Sequence, residues 1–479
     1  MKKTSKSDIV LGITIPLLFI LLIVLTVVTF YTISNNNAEG DAPAYEIENT
    51  ERAANEIDVS GYLLPQFIGL TSEGKRYGIS SSYNLVSELY RGLSPTIYSA
   101  LSESVPVSDD KWDEYALCDN SVYIKYHTEL PGGIIGIFAG MTTGREEREI
   151  HFGGNVREMF IIPDEGENYE TVVAVRDSSG NVTRYTLQGG RQTPNGKQSV
   201  TASELAKYVS SYGSGMNSFT FAFDDYDGVS CTEPVYLDTV RLRGIVMTDK
   251  TAALVRNSAD EVDSLMRAFE LNPDKILGSA VGDDESMSYY DTQGILYIRD
   301  EGFEYTNAYN DSGIRVSDIT GGAGNKLTDY IRHALYLFEQ IKSINAFYTG
   351  GDADLLLSSA AAVDGEITLE FMYAIDNVHI DCGSVYTVVF HDGLLRSARL
   401  KTMTAGIISE RVNLESEWWI IGKYTESRKS SDPENGSGTA EPIIDVAPVY
   451  YGDFVSDYVG AEWAFEKKNS AKSAELGDS

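Results

Sequence analysis

The chain has 479 residues, and its 71 acidic against 38 basic side chains give a formal net charge of -33 at pH 7. Such an acidic surface repels phosphate backbones, so a nucleic-acid partner is not expected. The three cysteines, Cys118, Cys231 and Cys382, are far apart and have no CxxC spacing. We therefore expect free thiols rather than a disulfide framework or a metal cluster, with one long-range pair as the alternative.

The first predicted element is an uncharged apolar run of 25 residues, Ile9–Ile33. A helix of this length reaches roughly 37 Å, which is enough to cross a hydrocarbon core of about 30 Å. Because Lys2, Lys3 and Lys6 precede it, we expect residues 1–8 in the cytoplasm and the remainder outside the cell. A cleaved signal peptide is the alternative, but its apolar region would span only about 7–15 residues. The sequence thus predicts a single-pass cell-membrane protein with an uncleaved signal anchor.

Composition divides the rest of the chain into four regions. Polar residues without an apolar period follow the anchor, and a polar tail follows the last apolar segment. No second run reaches spanning length, so we expect these regions to form one external part. In order, they are a tether (34–57), an N-terminal ectodomain region of one or two subdomains (58–250), a C-terminal domain (256–465) and a disordered tail (466–479).

The N-terminal ectodomain region is predicted to combine helices with several strands. Apolar residues at steps of four predict the helix Tyr83–Leu101, in which Pro95 is a candidate break. A shorter helix is predicted at Ala202–Tyr212, and the sequence SSGN at 178–181 predicts a hairpin. Alternation predicts strands at Tyr62–Leu70, Ser121–Glu129, Val156–Pro163, Thr171–Asp177, Val182–Leu187, Phe219–Phe223 and Val240–Met247.

The C-terminal domain is predicted to repeat one unit, an amphipathic helix followed by antiparallel strands. The helices are Asp260–Glu270 and Lys326–Ile344, and a mobile loop is expected at Ser427–Glu441. The strands are Ser286–Tyr290, Gly294–Arg299, Gly302–Asn307, Ile367–Ile375, Tyr386–Phe390, Leu394–Leu400, Glu417–Lys423, Ile443–Tyr451 and Ala461–Phe465. Together with the first region, this layout predicts an α+β ectodomain of several domains, built from antiparallel sheets with helices on one face.

The sequence contains no residue pattern with the residue types and spacing that a catalytic site requires. The five histidines have no metal-ligand spacing, and His333 is expected on the polar side of its helix. Ser72–Lys75 matches the S-x-x-K nucleophile pattern, but Gly74 lies in a predicted turn and the partner motifs are missing. We therefore expect no catalytic residues, and a binding or regulatory role rather than an enzyme.

Three acidic clusters and one glycine-rich loop are expected to be solvated loops rather than ligand sites. Calcium requires six to eight oxygens at defined loop positions, which the clusters do not supply. The loop Gly321–Lys326 lacks the full phosphate-binding pattern. No cofactor or metal is therefore expected. The clusters are Asp224/Asp225/Asp227, Asp283/Asp284/Glu285 and Asp352/Asp354.

Four features of the chain resemble the YycH/YycI family of membrane-anchored regulatory proteins. They are the anchor with its short basic amino terminus, the strand that runs into Glu129–Gly133, the segment Tyr289–Asn307 with the helix after it, and the segment Ile367–Leu400 with the closing residues Glu462–Phe465. The length is closer to YycH. The resemblance implies a single-pass protein whose external part regulates the sensor histidine kinase of a cell-envelope two-component system, together with a YycI-like paralogue and without catalytic residues.

The resemblance implies contact with the kinase through the anchor and the ectodomain. Four threonines of the anchor could hydrogen-bond to a neighbouring helix, although bonding to their own backbone is an equal alternative. They are Thr14, Thr26, Thr29 and Thr32. A second hypothesis is an extracytoplasmic protein that binds cell-wall material or a peptide without kinase contact. A third, an enzyme, requires a pocket with a perturbed acid–base pair.

Overall fold

The computed structural model describes thirteen stretches of the chain, and all of them belong to the compact unit Glu51–Ser479. The stretches are 57–144, 154–163, 170–188, 200–222, 233–248, 258–276, 278–281, 286–307, 313–317, 327–345, 349–423, 443–451 and 460–467. Within these stretches, no helix combines the length and apolar character that crossing a membrane requires. The predicted anchor, loop 427–441 and most of the tether and tail lie outside them.

Runs of mainly antiparallel strands are separated by single helices along the chain, which confirms an α+β fold rich in antiparallel sheet. The helices are α1 (Tyr83–Glu103), α2 (Trp112–Ala116), α3 (Gly132–Thr142), α4 (Ala202–Tyr212), α5 (Ala259–Ala268), α6 (Leu327–Ile344) and α7 (417–423). The strands up to residue 248 are β1 (Pro65–Ser72), β2 (Lys75–Ile79), β3 (Val107–Asp109), β4 (Ser121–Pro131), β5 (Asn155–Pro163), β6 (Glu170–Arg176), β7 (Val182–Gln188), β8 (Asn217–Phe221), β9 (Pro234–Tyr236) and β10 (Val240–Thr248).

The remaining strands follow α5. They are β11 (Gly278–Val281), β12 (Met287–Tyr290), β13 (Gly294–Arg299), β14 (Gly302–Asn307), β15 (Thr349–Gly351), β16 (Asp354–Val363), β17 (Glu366–Ile375), β18 (Val378–Ile380), β19 (Tyr386–His391), β20 (Leu394–Lys401), β21 (Met403–Leu414), β22 (Ile443–Tyr451) and β23 (Gly460–Lys467). Most of the predicted elements therefore exist, with ends that differ by one or two residues.

The first sheet has nine strands in the order β3-β7-β6-β5-β4-β1-β2-β8-β9, and all neighbours are antiparallel. Its turns follow from residues that tolerate a positive φ. The predicted hairpin at 178–181 joins β6 and β7, with Gly180 at φ 91°. Ser72 and Lys75 face each other across the β1–β2 turn, so the S-x-x-K match is a hairpin and not a helix.

Two helices, α1 and α3, pack against each other beside the first sheet. The predicted break at Pro95 does not occur, because buried side chains anchor α1 on both sides of the proline, among them Leu93 and Ile97. The short α3 was not predicted, since its glycine-rich sequence GGIIGIFAGMT is typical of a turn. Helix α4 has the predicted bounds and begins with a capping box formed by Thr201 and Glu204.

The other two sheets are built mainly from the second half of the chain. The three-stranded sheet has the order β10-β21-β15, so β10, from the region predicted as N-terminal, pairs with a strand from the predicted C-terminal domain. The eleven-stranded sheet runs β11-β12-β13-β14-β20-β19-β17-β18-β22-β23, and β16 pairs with β17. The predicted turn at Asp392–Gly393, with φ of 51° and 75°, joins β19 and β20.

Helices α5 and α6 contact each other and bury the apolar residues that their amphipathic patterns predict. The prediction that His333 lies on the polar side of α6 is wrong. His333 is completely buried, and its ring lies 5.3 Å from the ring of Phe390. The buried arc of α6 is wider than one amphipathic stripe because the helix is covered by both α5 and the sheet. Burial lowers the pKa of His333 to about 3, so its imidazole is neutral.

The predicted strand Glu417–Lys423 is also wrong, because these residues form α7. Aromatic and β-branched residues favoured a strand, but burial follows a helical period: Glu417 and Ile421 are buried, whereas Trp418 and Trp419 are each 49% exposed. The Glu417 carboxylate accepts a hydrogen bond from the backbone N–H of Tyr236 at 2.9 Å, which holds the start of α7 against β9.

Buried polar contacts join the first sheet to the eleven-stranded sheet. Lys125 on β4 forms an ion pair of 2.5 Å with Glu233, and both side chains are at most 2% exposed. The same Glu233 oxygen accepts the backbone N–H of Val446 on β22 at 3.1 Å. In the turn after β17, the Asn377 amide donates to the carbonyl oxygen of Pro65 at 2.8 Å. Side chains of each sheet thus satisfy buried groups of the other.

Candidate functional site

A cleft of about 710 Å³ lies at the beginning of the described part of the chain. We call it the stem cleft, because its lining includes the first residues after the predicted tether. It brings together charged, hydroxyl and aromatic side chains from four places in the chain. They are Asp58, Ser60 and Tyr62 before β1, Tyr83, Asn84, Ser87, Glu88 and Arg91 on α1, Phe338 and Lys342 on α6, and Asp354 and Leu355 on β16.

One wall of the stem cleft is a short 3-10 turn, Val59–Gly61, that Asp58 caps. The Asp58 carboxylate accepts hydrogen bonds from the Ser60 backbone N–H at 3.0 Å and from the Ser60 hydroxyl at 2.6 Å. These hydrogen bonds lower the pKa of Asp58. Arg91 reaches this turn from α1, lying 3.5 Å from the Asp58 carboxylate and donating to the Ser60 hydroxyl at 2.9 Å.

Two tyrosines form the interior of the stem cleft. A Cβ atom on Gly61 would come within 2.2 Å of the Tyr83 hydroxyl, so only glycine allows this close approach. Burial, together with the negative charges of Asp354 and Asp58, raises the pKa of Tyr83 to about 12. Tyr62 donates a hydrogen bond to the Glu339 carboxylate on α6, and burial raises the pKa of Tyr62 further. Both phenols are therefore neutral donors at physiological pH.

The turn at Tyr62 is held by both α6 and β16. The backbone N–H of Leu357 donates to the Tyr62 carbonyl at 2.7 Å, and the Tyr62 hydroxyl bonds to Glu339. Lys342, one turn further along α6, lies 3.7 Å from the same Glu339 carboxylate. Contacts that reach across the cleft thus set the position of the turn at Tyr62.

Asp354 is the one half-buried carboxylate of the cleft with a strongly raised pKa, to about 6. Burial is the main cause, the neighbouring charge of Asp376 adds to it, and Lys342 opposes it. Among the described residues, none donates a hydrogen bond to this carboxylate or forms an ion pair with it within 4.0 Å. A partly desolvated acid without a fixed counter-ion is a group that a ligand can pair with.

The structure separates the acidic cluster Asp352/Asp354. Asp352 accepts the backbone N–H of Ile407 at 2.9 Å, whereas Asp354 lines the cleft. Within the described stretches, no group of three or more histidine, cysteine, aspartate or glutamate side chains could hold a metal ion. Cys118 and Cys382 are free thiols. Outside the described residues lie Cys231, the other two acidic clusters, the loop 321–326 and the four anchor threonines (Thr14, Thr26, Thr29 and Thr32).

Sequence reasoning named Asp354 only as part of a calcium candidate and missed the cleft itself. Asp58 and Asp354 are 296 positions apart, so no spacing rule connects them. A charged residue at the start of an otherwise apolar strand, D-L-L-L, was the local signal that could have drawn attention to Asp354.

Comparison of the chain with protein-family models and with curated proteins finds no match. Among solved structures, the chain is similar to a crystal structure of an uncharacterized protein from Eubacterium rectale. The two share 10% sequence identity over 54% of this chain and 87% of that one, with a TM-score of 0.32. A similarity at that level carries no argument about fold or function.

Proposed function

We propose that this chain is a membrane-anchored extracytoplasmic regulator of a sensor histidine kinase, and that it has no enzymatic activity of its own. The kinase belongs to a cell-envelope two-component system, and a paralogous single-pass regulator is a further partner. The anchor is residues 9–33, with the amino terminus in the cytoplasm. The proposal begins from the sequence resemblance to the YycH/YycI family and from the apolar run at the amino terminus.

One structural observation carries the proposal further: the stem cleft includes the residues that lead towards the predicted anchor. Only 24 residues, 34–57, separate Ile33 from Asp58 in the sequence. A ligand in the cleft would contact Asp58, Ser60 and Tyr62, and would thus act on the start of the ectodomain. A kinase that exchanges between two helix arrangements needs a bias of only a few kcal/mol, which differential binding can supply.

The test is co-purification of the full chain from native membranes, followed by identification of the bound proteins by mass spectrometry. We expect a sensor histidine kinase in the wild-type sample. In a matched chain whose residues 9–33 are replaced by an unrelated apolar helix, we expect less kinase and altered expression of the genes under its control. The replacement keeps the length and the hydrophobicity, so both chains reach the membrane.

If the anchor-swapped chain retains both the kinase complex and normal signalling, the anchor has no specific role. If neither chain captures a kinase, the regulatory proposal fails. The second candidate function is then favoured, a protein that binds cell-wall material or a peptide without kinase contact. The stem cleft supports that candidate equally well, and retention of the chain on purified cell walls from a kinase-deletion strain would identify it.

A further inference from the structure

The charges of the stem cleft do not balance within the cleft. Its lining has three carboxylates, Asp58, Glu88 and Asp354, against two cations, Arg91 and Lys342, and the Glu339 carboxylate borders it. Four of these five lining charges already have partners: Arg91 with Asp58 at 3.5 Å, Lys342 with Glu339 at 3.7 Å, and Glu88 with the Tyr212 hydroxyl at 2.5 Å. Asp354 is the remaining one.

We infer that the stem cleft binds a ligand that presents a primary ammonium group, and that the Asp354 carboxylate is the counter-ion of that group. The inference deepens the proposed function. The regulatory role of the bound ligand rests on that proposal, whereas the binding of an ammonium group does not. Asp354 has partly lost its water and lies beside the Tyr83 phenol, which cannot supply a positive charge. A cation from outside restores the lost stabilisation.

An ammonium group fits this cleft better than an anion or a metal ion does. An anion would have to compete with Asp58 for Arg91 and with Glu339 for Lys342, and would meet Asp354 as a like charge. A calcium ion needs six to eight oxygens, and no cluster of three acidic or histidine ligands exists among the described residues. An ammonium group needs about three acceptors, which Asp354, Asn84 and Ser87 can provide from the cleft wall.

The aromatic residues of the cleft favour the same ligand chemistry. Tyr62 and Tyr83 line the cleft, and the face of a tyrosine ring attracts a cation within about 6 Å. Their hydroxyls are held neutral by raised pKa values, so they do not compete for the ligand's charge. The strongly acidic chain, with a net charge of -33, draws cationic ligands towards it.

A cleft of about 710 Å³ has room for more than a single amine. Two sources can present the shared chemistry, the lysine side chain of a peptide and a free polyamine. Trilysine and spermidine are therefore the two probes. Trilysine with all its amines acetylated has the same backbone and no positive charge, and serves as the neutral probe.

The experiment is calorimetric titration of the full chain, held in a neutral detergent, with each probe at pH 7.5 and physiological ionic strength. We expect at least one of the two cationic probes to bind, and the acetylated trilysine not to bind. Asp354→Asn should weaken binding by about tenfold or more, since the hydrogen bond between the ammonium group and a charged carboxylate is lost.

The matched control is Asp364→Asn, at the exposed tip of the β16–β17 hairpin, which removes the same charge from the same strand pair. Its φ of 50° suits asparagine as well as aspartate, and we expect affinity within about twofold of the wild type. An equal loss of affinity in both variants would mean that the probe is attracted by the acidic surface in general, and would overturn the inference.

The remaining outcomes also decide. Binding of acetylated trilysine as tightly as trilysine overturns the inference without any variant, so the result does not depend on the folding of Asp354→Asn. Binding of spermidine alone assigns a free polyamine, and binding of trilysine alone assigns a peptide amine. Because no kinase is present, ammonium binding can succeed while kinase co-purification fails, and the reverse.

Discussion

At the residue scale, Asp354 shows how burial without a partner changes a carboxyl group. Asp354 begins β16 with a half-buried side chain, and burial together with the nearby charge of Asp376 disfavours its ionised form. Folding therefore favours its protonated form, so the residue works against the fold at neutral pH. Retaining such a group is consistent with a ligand that makes up the loss.

The first prediction concerns the pH dependence of stability. The folded pKa of Asp354 is about 6, above its ordinary value of 3.8. The contribution of Asp354 to the stability of the fold is fully present below pH 3.8, and is lost as the pH rises through about 6. Above pH 7, the free energy of unfolding of Asp354→Asn should therefore exceed that of the wild type by on the order of 1–2 kcal/mol. The difference is no larger because the group is only partly buried.

Urea denaturation of both proteins between pH 4 and pH 8, without ligand, measures this difference. We expect the gap between the two free energies to widen from pH 4 to about pH 6.5 and then to stay constant. A gap that does not change with pH would show that the raised pKa of Asp354 is wrong. Asp364→Asn, at an exposed position, should show no such dependence.

The second prediction concerns the buried ion pair of Lys125 and Glu233. Replacing Lys125 by methionine leaves the Glu233 charge buried without its cation, so we expect a loss of about 3–5 kcal/mol in the free energy of unfolding. The control is Lys423→Met, which removes a cation whose partner Glu415 is 3.3 Å away and whose side chain is 54% exposed. That variant should cost at most about 1 kcal/mol.

Chemical denaturation at pH 7 compares the two lysine variants. A Lys125→Met protein as stable as Lys423→Met would mean that Glu233 does not depend on Lys125 for its charge. The sequence offered no sign of this pair, because the two residues are 108 positions apart and no spacing rule connects them. Pairings of this kind depend on the assembled sheet, so sequence reasoning could recognise neither the ion pair nor the stem cleft.

At the element scale, local pattern was a good guide wherever one face of an element is buried and the other is solvated. The helices α5 and α6 and the hairpins at Gly180 and Gly393 were predicted on that basis. The failures are elements whose burial does not follow the simple pattern. Helix α3 is glycine-rich and buried almost all around, and α7 places two tryptophans in solvent.

Long strands were missed for a related reason. The strand β21 has twelve residues, M-T-A-G-I-I-S-E-R-V-N-L, of which the middle is exposed and only the ends are buried. The exposed middle of this strand interrupts the alternation that reveals a half-buried strand. Pairing with β10 and β15 stabilises β21 through backbone hydrogen bonds, which side-chain patterns do not record.

The third prediction compares two glycines in elements of different type. A Cβ atom on Gly302 would come within 2.1 Å of the Leu400 carbonyl oxygen on the neighbouring strand β20. Gly302→Ala must therefore push β14 away from β20, at a cost of about 1–3 kcal/mol. A Cβ atom on Gly422 meets nothing within 4 Å, and in α7 alanine has the better helix propensity. Gly422→Ala should stabilise the protein by up to about 1 kcal/mol.

Thermal unfolding of the two alanine variants provides the comparison, and opposite signs are expected. A destabilised Gly422→Ala would count against a helix at 417–423 and in favour of the strand that the sequence predicted. A neutral Gly302→Ala would mean that β14 and β20 do not approach as closely as the Gly302–Lys401 register requires.

At the scale of the whole molecule, the sheets depend on one another. Glu233 requires a cation from the first sheet and a backbone donor from β22, and Asn377 donates to carbonyls of β1 and of the residue after β2. The predicted boundary between 58–250 and 256–465 follows the change in strand pattern along the chain. The contacts across that boundary could not be predicted, since they join residues hundreds of positions apart.

The fourth prediction is that both regions unfold together. Trp112 reports on the first sheet, whereas Trp418, Trp419 and Trp463 report on later parts of the chain. In Trp112→Phe, tryptophan fluorescence follows only the later parts, and far-ultraviolet circular dichroism follows all sheets. We expect the same urea midpoint by both signals, because contacts between sheets make the transition cooperative. Two separate midpoints would instead identify two independently folding domains.

The hydrogen bond from Val446 to Glu233 also has a consequence for the time course of synthesis. The two residues are 213 positions apart, and ribosomes add about 5–20 residues per second, so Glu233 waits on the order of 10–40 s for this donor. During that interval the first sheet is complete in sequence, but the Glu233 carboxylate lacks its hydrogen bond from Val446. A nascent chain that stops before β22 keeps this defect permanently, which makes truncated products ready substrates for quality-control proteases.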